Sequence, residues 1–212
     1  MNHLYYISQG KTPEEHLTNI ATVVRGGCRL VQLRLKGISQ NMVLKTAMEA
    51  KRICNENDTT LIVNDDPQVA HAIDADGVHL GKEDSKIADA RLLLGTTKII
   101  GGTANTLEDC LELIESGVDY IGLGPYKFTS TKKNLSPVLG TEGIRKIITA
   151  LSAKGHKVPV YAIGGVVKED VEVLLDTGIF GLAVSGLLTN TSAESIAQLR
   201  QYVQKRYMAT SI

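Results

Sequence analysis

The sequence predicts a single α/β domain over residues 1–212, folded as a (βα)8 barrel of the TIM class, and three observations carry that expectation. Short, nearly continuous apolar runs alternate with longer runs of helical period, eight of each. Successive units repeat one phrase (helix end, glycine, apolar strand, small residue), as in ESGVDYIGLG and DTGIFGLAVSG. No linker or low-complexity segment interrupts them, and 212 residues suits one such barrel. An open doubly wound sheet is the alternative, but eight unbroken units favour closure.

Strands are expected at 4–7, 30–33, 60–63, 77–79, 99–101, 120–122, 158–163 and 181–184, apolar on successive residues because both faces are buried. Helices are expected at 13–25, 42–57, 67–73, 87–94, 107–116, 141–154, 168–177 and 192–207. Thr12 before Pro13 reads as an N-cap, and Glu15 completes a capping box. Asp66 before Pro67 reads as a second cap. Gly26-Gly27, Gly117 and Gly178 follow apolar helical runs and suit C-terminal stops.

Lys plus Arg and Asp plus Glu number 23 each, so the chain carries no net charge. That balance argues against a nucleic-acid partner or a membrane-surface footprint, which want a basic excess. The opening MNHLYYISQG lacks a signal-peptide layout, and no apolar run approaches a membrane span. Cys28, Cys54 and Cys110 are too widely spaced for a zinc or redox motif and read as buried free thiols. A cytoplasmic protein with small-molecule partners is expected; a homo-oligomer is left open.

In such a barrel the residues just past each strand converge on one mouth. Here they are polar. VQLRLK sets Gln32, Arg34 and Lys36 at alternate positions, able to share one face and meet an anion such as pyrophosphate. VNDDP supplies Asn64 and Asp65, and GVHLGKED supplies Asp84. Two carboxylates on neighbouring loops can hold one hard cation such as Mg2+, whose shell water and substrate phosphate complete. His79 lies on its strand and reads as a satisfied core histidine. GPYKFTSTKKN offers Thr129, Thr131 and Lys132 for phosphate oxygens. AIGGV and AVSG place Gly165 and Ser185 on the last two loops, where backbone N–H groups can cradle a phosphate.

With these residues assembled, the chain resembles the thiamine-phosphate synthase (thiamine-phosphate pyrophosphorylase) family. The resemblance runs from LYYIS to AVSG through VQLRLK, VNDD, ADGVHLGKED, GVDYIGLGPYKFTSTKK, VYAIGGV and GLAVSG. It implies a transferase that joins hydroxymethylpyrimidine diphosphate to thiazole phosphate with Mg2+, releasing pyrophosphate by a dissociative route. It further implies that Gln32, Arg34, Lys36 and Asn64 hold the pyrimidine substrate and that Asp65 and Asp84 ligate the metal. Thr129, Thr131 and Lys132 would contact phosphates, with Lys132 between the substrates; Gly165 and Ser185 would seat the thiazole phosphate. Lys132, Arg34 and Thr103 are the implied catalytic residues.

Three positions depart from the family pattern. Thr103 stands where Ser is usual, keeping the hydroxyl; Asn105 replaces His; and NDD replaces NDR, putting Asp66 in place of a cation. A thiazole tautomerase of similar form is the nearest alternative, followed by a non-catalytic phosphate-ligand-binding barrel. Asp65, Asp84 and Lys132 favour the synthase. The sequence offers no obvious Cys–His or Ser–His pair, and the implied chemistry needs no strong general base.

Overall fold

The structure, a computed structural model, describes residues 2–128 and 137–210. Eight parallel strands close into a barrel in chain order: β1 (Leu4–Ile7), β2 (Leu30–Leu33), β3 (Thr60–Asn64), β4 (Gly77–Leu80), β5 (Ile99–Ala104), β6 (Tyr120–Leu123), β7 (Val160–Ile163) and β8 (Gly181–Val184). Helices α1 (Pro13–Arg25), α2 (Gln40–Asn55), α3 (Pro67–Ala72), α4 (Ile87–Leu94), α5 (Leu107–Glu115), α6 (Gly140–Ala153), α7 (Val171–Leu175) and α8 (Ala193–Thr210) alternate with them. None of the helices among the described residues is long and apolar enough to cross a membrane.

Strand side chains alternate between two cores. One set, including Leu4, Tyr6, Val31, Leu61 and Ile121, packs outward against the helices. The other, Tyr5, Ile7, Leu30, Ile62, Tyr120, Tyr161 and Ala183, fills the barrel. Three tyrosines dominate that interior. Tyr5, Tyr120 and Tyr161 meet edge to face with ring centroids 5.5 to 5.7 Å apart. Their size demands small neighbours on adjoining strands. A Cβ on Gly101 would lie 2.1 Å from Tyr120 Cζ, and one on Gly181 would lie 2.7 Å from Tyr161 Cε1. Large and small residues thus interlock around the barrel.

Boundaries differ from the sequence reading at several elements. β7 starts at Val160 rather than 158, because Pro159 has no N–H to give the ladder. β5 runs on to Ala104, so Thr103 lies on a strand rather than in the loop after it. The helix expected over 168–177 opens with a 3-10 turn, Lys168–Asp170, before α7. There the Asp170 carboxylate accepts the Val167 N–H at 3.1 Å. Thr12 caps α1 as expected, but the Glu15 carboxylate accepts from Lys11 N–H, not from the cap residue. A reciprocal capping box occurs instead at Thr106 and Asp109.

Candidate active site

At the C-terminal end of β2, Gln32 is buried inside the barrel, where its Nε2 donates to Tyr5 Oη at 2.8 Å. The strand stops at Leu33. Arg34 follows, half-buried, with its backbone N–H on Ser8 Oγ at 3.0 Å. Lys36 is exposed and reaches across to pair with the Asp65 carboxylate. The expected shared face therefore splits: Gln32 points into the interior, and Lys36 extends over the mouth to β3.

Asn64 closes β3, opposite His79 of β4. Asp65 adopts φ 65°, a left-handed conformation uncommon outside glycine, held by its N–H on His79 O at 2.8 Å. Asp84 curls back so that its Oδ2 accepts the Gly81 N–H at 2.7 Å. The two carboxyl groups meet. For Asp84, burial and then the hydrogen bond and charge of Asp65 push its pKa up. For Asp65, burial works upward, but the Lys36 ammonium and the hydrogen bond with Asp84 outweigh it and hold the pKa below the usual carboxylate range. Two carboxyl groups brought together this way, one pushed up and the other held down, are donors of the kind a divalent cation binds. Among the described residues no group of three or more acidic, His or Cys side chains is fit to hold a metal. Asp66 caps α3 through Val69 N–H at 2.9 Å and accepts from Gln40 Nε2 at 3.0 Å, which accounts for its charge.

Across the mouth, Thr103 Oγ1 lies 3.0 Å from His79 Nε2, and His79 Nδ1 lies 3.0 Å from Tyr120 Oη. His79 is the satisfied core histidine the sequence suggests. Asn105 is buried, with Nδ2 donating to the Gly124 carbonyl, so it ties the end of β5 to the end of β6.

After β6, Tyr126 N–H donates to Ile163 O at 2.8 Å and Lys127 N–H to Gly164 O at 2.9 Å, docking this loop on the one after β7. Gly165, at φ 70°, sits so close that an added Cβ would be 2.7 Å from Phe128 O; no other residue suits the position. Ser185 Oγ donates to Gln9 Oε1 at 3.1 Å, and its carbonyl starts a helical turn by accepting from Leu188 and Thr189 N–H. Thr129, Thr131 and Lys132 lie outside the described residues.

Several residues at the mouth escape sequence reasoning. Ser8 Oγ and His16 Nδ1 lie 2.8 Å apart, a Ser–His pair where none was expected. Ser8 is buried and its oxygen already accepts from Arg34 N–H, so the pair braces the β1 and β2 loops and offers no nucleophile. The inner position of Tyr5 and Tyr120 was readable from strand parity with Gln32 and Thr103, since a buried phenol must find a partner. A separate cavity of about 750 Å3 opens at the opposite end of the barrel, lined by His3, Leu151, His156, Phe180 and Tyr207. The carboxylates, cations and glycine loops stand at the C-terminal mouth, where barrels of this kind do their chemistry.

A closed (βα)8 barrel with a carboxylate pair beside cationic side chains on one rim and closely docked glycines on the other defines a TIM-barrel protein with a charged C-terminal mouth. A profile of the thiamine monophosphate synthase family matches residues 4–188. A thiamine-phosphate synthase of Flavobacterium psychrophilum is 50% identical over 190 residues, covering 90% of this chain and 92% of its own. That of Bacteroides fragilis is 43% identical over 188 residues, covering 89% and 92%. Among solved structures, the thiamine phosphate pyrophosphorylase of Pyrococcus furiosus superposes with a TM-score of 0.82 at 31% identity, covering 96% of both chains. The chain belongs to the thiamine monophosphate synthase family.

Proposed function

We propose that this protein condenses 4-amino-2-methyl-5-hydroxymethylpyrimidine diphosphate with 4-methyl-5-(2-phosphooxyethyl)thiazole, giving thiamine phosphate and pyrophosphate. The family match across residues 4–188 carries this reading. In the reaction the pyrimidine methylene C–O bond breaks, diphosphate leaves with the electron pair, and the thiazole nitrogen lone pair forms the new C–N bond. Nothing has to deprotonate the nucleophile, which accords with the Ser8–His16 pair being structural.

Mg2+ fits the donor set, because a cation would relieve both the burial and the mutual repulsion of Asp65 and Asp84. When bound, it supplies charge neutralisation to the departing diphosphate. In this reading Arg34 and Lys36 grip the diphosphate, Gln32 and Asn64 orient the pyrimidine, and Thr103 contacts it from β5. Gly165 and Ser185 seat the thiazole phosphate through backbone N–H groups. By the family pattern, Thr129, Thr131 and Lys132 close on the phosphates. A single domain carries both half-sites. A cytoplasmic setting accords with Cys28, Cys54 and Cys110 being free and buried, with burial pushing their thiols up to about 11, 12 and 12. The tautomerase alternative leaves the Lys36–Asp65–Asp84 cluster without a task.

The test is direct coupling: purified protein, Mg2+ and both substrates should yield thiamine phosphate and one pyrophosphate per turnover. No product under conditions where the F. psychrophilum relative turns over would sink the assignment.

A further inference from the structure

We propose that Tyr5, Tyr120 and His79 are positioning residues: a one-way hydrogen-bond chain through the barrel that makes Thr103 a donor to the bound pyrimidine diphosphate. The functional half of this proposal rests on the synthase reading above. The chain runs Gln32 Nε2 to Tyr5 Oη at 2.8 Å, Tyr5 Oη to Tyr120 Oη at 2.8 Å, Tyr120 Oη to His79 Nδ1 at 3.0 Å, and His79 Nε2 to Thr103 Oγ1 at 3.0 Å. It links the two sides of the mouth through residues that the fold alone does not require to be polar.

Its direction follows from counting protons. The Gln32 amide nitrogen can only donate, so Tyr5 accepts there. Tyr5 is 1% exposed and, among the described residues, bonds besides only to Tyr120, so its own proton goes to Tyr120. Tyr120, 0% exposed, has accepted from Tyr5 and gives its proton to His79 Nδ1. An Nδ1 that accepts leaves the imidazole proton on Nε2, where it faces Thr103 Oγ1. Thr103 accepts that bond and has its hydroxyl proton left for an acceptor atom of the substrate. Reversing any link would strand a buried phenol proton, which is costly inside the barrel. The β-methyl of Thr103, absent from the family's usual Ser, further narrows its χ1 choices. The stacked His79 and Tyr120 rings, centroids 5.4 Å apart, hold the middle of the chain in place.

Nitrogen-15 NMR of the histidine rings in the substrate-free protein tests the direction, with His79 assigned by replacing the other four histidines singly. The expected result is the Nε2–H tautomer. An Nδ1–H tautomer or an imidazolium would overturn the proposal. In Tyr120→Phe, which keeps the ring, the Nε2–H preference should weaken, and KM for the pyrimidine diphosphate should rise about 3- to 10-fold, the cost of one neutral hydrogen bond, with KM for the thiazole phosphate unchanged. A folded Tyr120→Phe protein with both KM values unchanged would overturn the positioning role. If Tyr120→Phe fails to fold, Tyr5→Phe makes the same test one link earlier. Should the wild type make no thiamine phosphate, the synthase reading falls while the tautomer measurement still decides the direction of the chain.

Discussion

At the scale of single residues, the mouth is organised by groups that cannot be left alone. The Asp65 and Asp84 carboxyl groups meet, which pushes the Asp84 pKa up, and Lys36 leans on Asp65. Asp65→Asn and Asp84→Asn should each raise the Mg2+ concentration for half-maximal rate by about ten-fold or more, read from initial rates across a Mg2+ titration. A titration curve that does not move removes the residue from the metal site. Gly101→Ala tests the interior differently. Its methyl would fall 2.1 Å from Tyr120 Cζ, so a loss of about 1–3 kcal/mol in urea unfolding is expected. Sequence reasoning singled out Gln32, Asn64, Asp65, Asp84, Gly165 and Ser185 as candidates because polar or glycine residues after an apolar run stand out against their surroundings. Tyr5, Tyr120 and Ser8 stayed hidden: tyrosines within apolar strands look like core, and the 2.8 Å meeting of Ser8 with His16 depends on how α1 folds back on β1.

Elements were easier to read than contacts, for a physical reason. β1, β2 and β8 give way to polar residues at Ser8, Arg34 and Ser185, and their limits match the sequence reading at both ends. At β5, where the reading slipped, the cause was tertiary: the strand extends to Ala104 because β6 offers it a partner as far as Leu123. The Thr12 box went astray because its acid found Lys11 N–H, whereas Thr106 and Asp109 close theirs on both sides. Thr106→Ala should therefore cost about 1 kcal/mol of stability, while Thr12→Ala, whose cap bond is longer at 3.3 Å against 3.1 Å and is not reciprocated, should cost less. Matched urea melts of the two variants check the order. The docking of the β6 loop on Gly164 and Gly165 shows how one element sets the backbone of another, a relation that no local pattern announces.

At the scale of the whole molecule, the closed barrel turns local burial into pH dependence. Desolvation, then the nearby charge of Arg34 after the opposing Gly10 hydrogen bond, lowers the His16 pKa below its ordinary 6.5. A lowered histidine means that the unfolded chain takes up the proton first. The contribution is complete above 6.5 and is lost as pH falls from there through the folded value. Thermal unfolding midpoints should fall between neutral pH and pH about 5, and His16→Gln should flatten that slope; an unchanged slope would clear His16 of the effect. The opposite limb belongs to the tyrosines. Burial raises the pKa values of Tyr5, Tyr6, Tyr120, Tyr161 and Tyr207 above the phenol's 10.0. Their contribution is complete below 10.0 and is lost as alkali drives pH through the raised folded values. With seven tyrosines and no tryptophan, the chain has a near-ultraviolet spectrum written almost entirely by tyrosine, and Tyr5, Tyr120 and Tyr161 among them plug the barrel. Ionisation of those rings colours the solution only when the staves part, so an alkaline absorbance titration would serve as a label-free gauge of barrel closure.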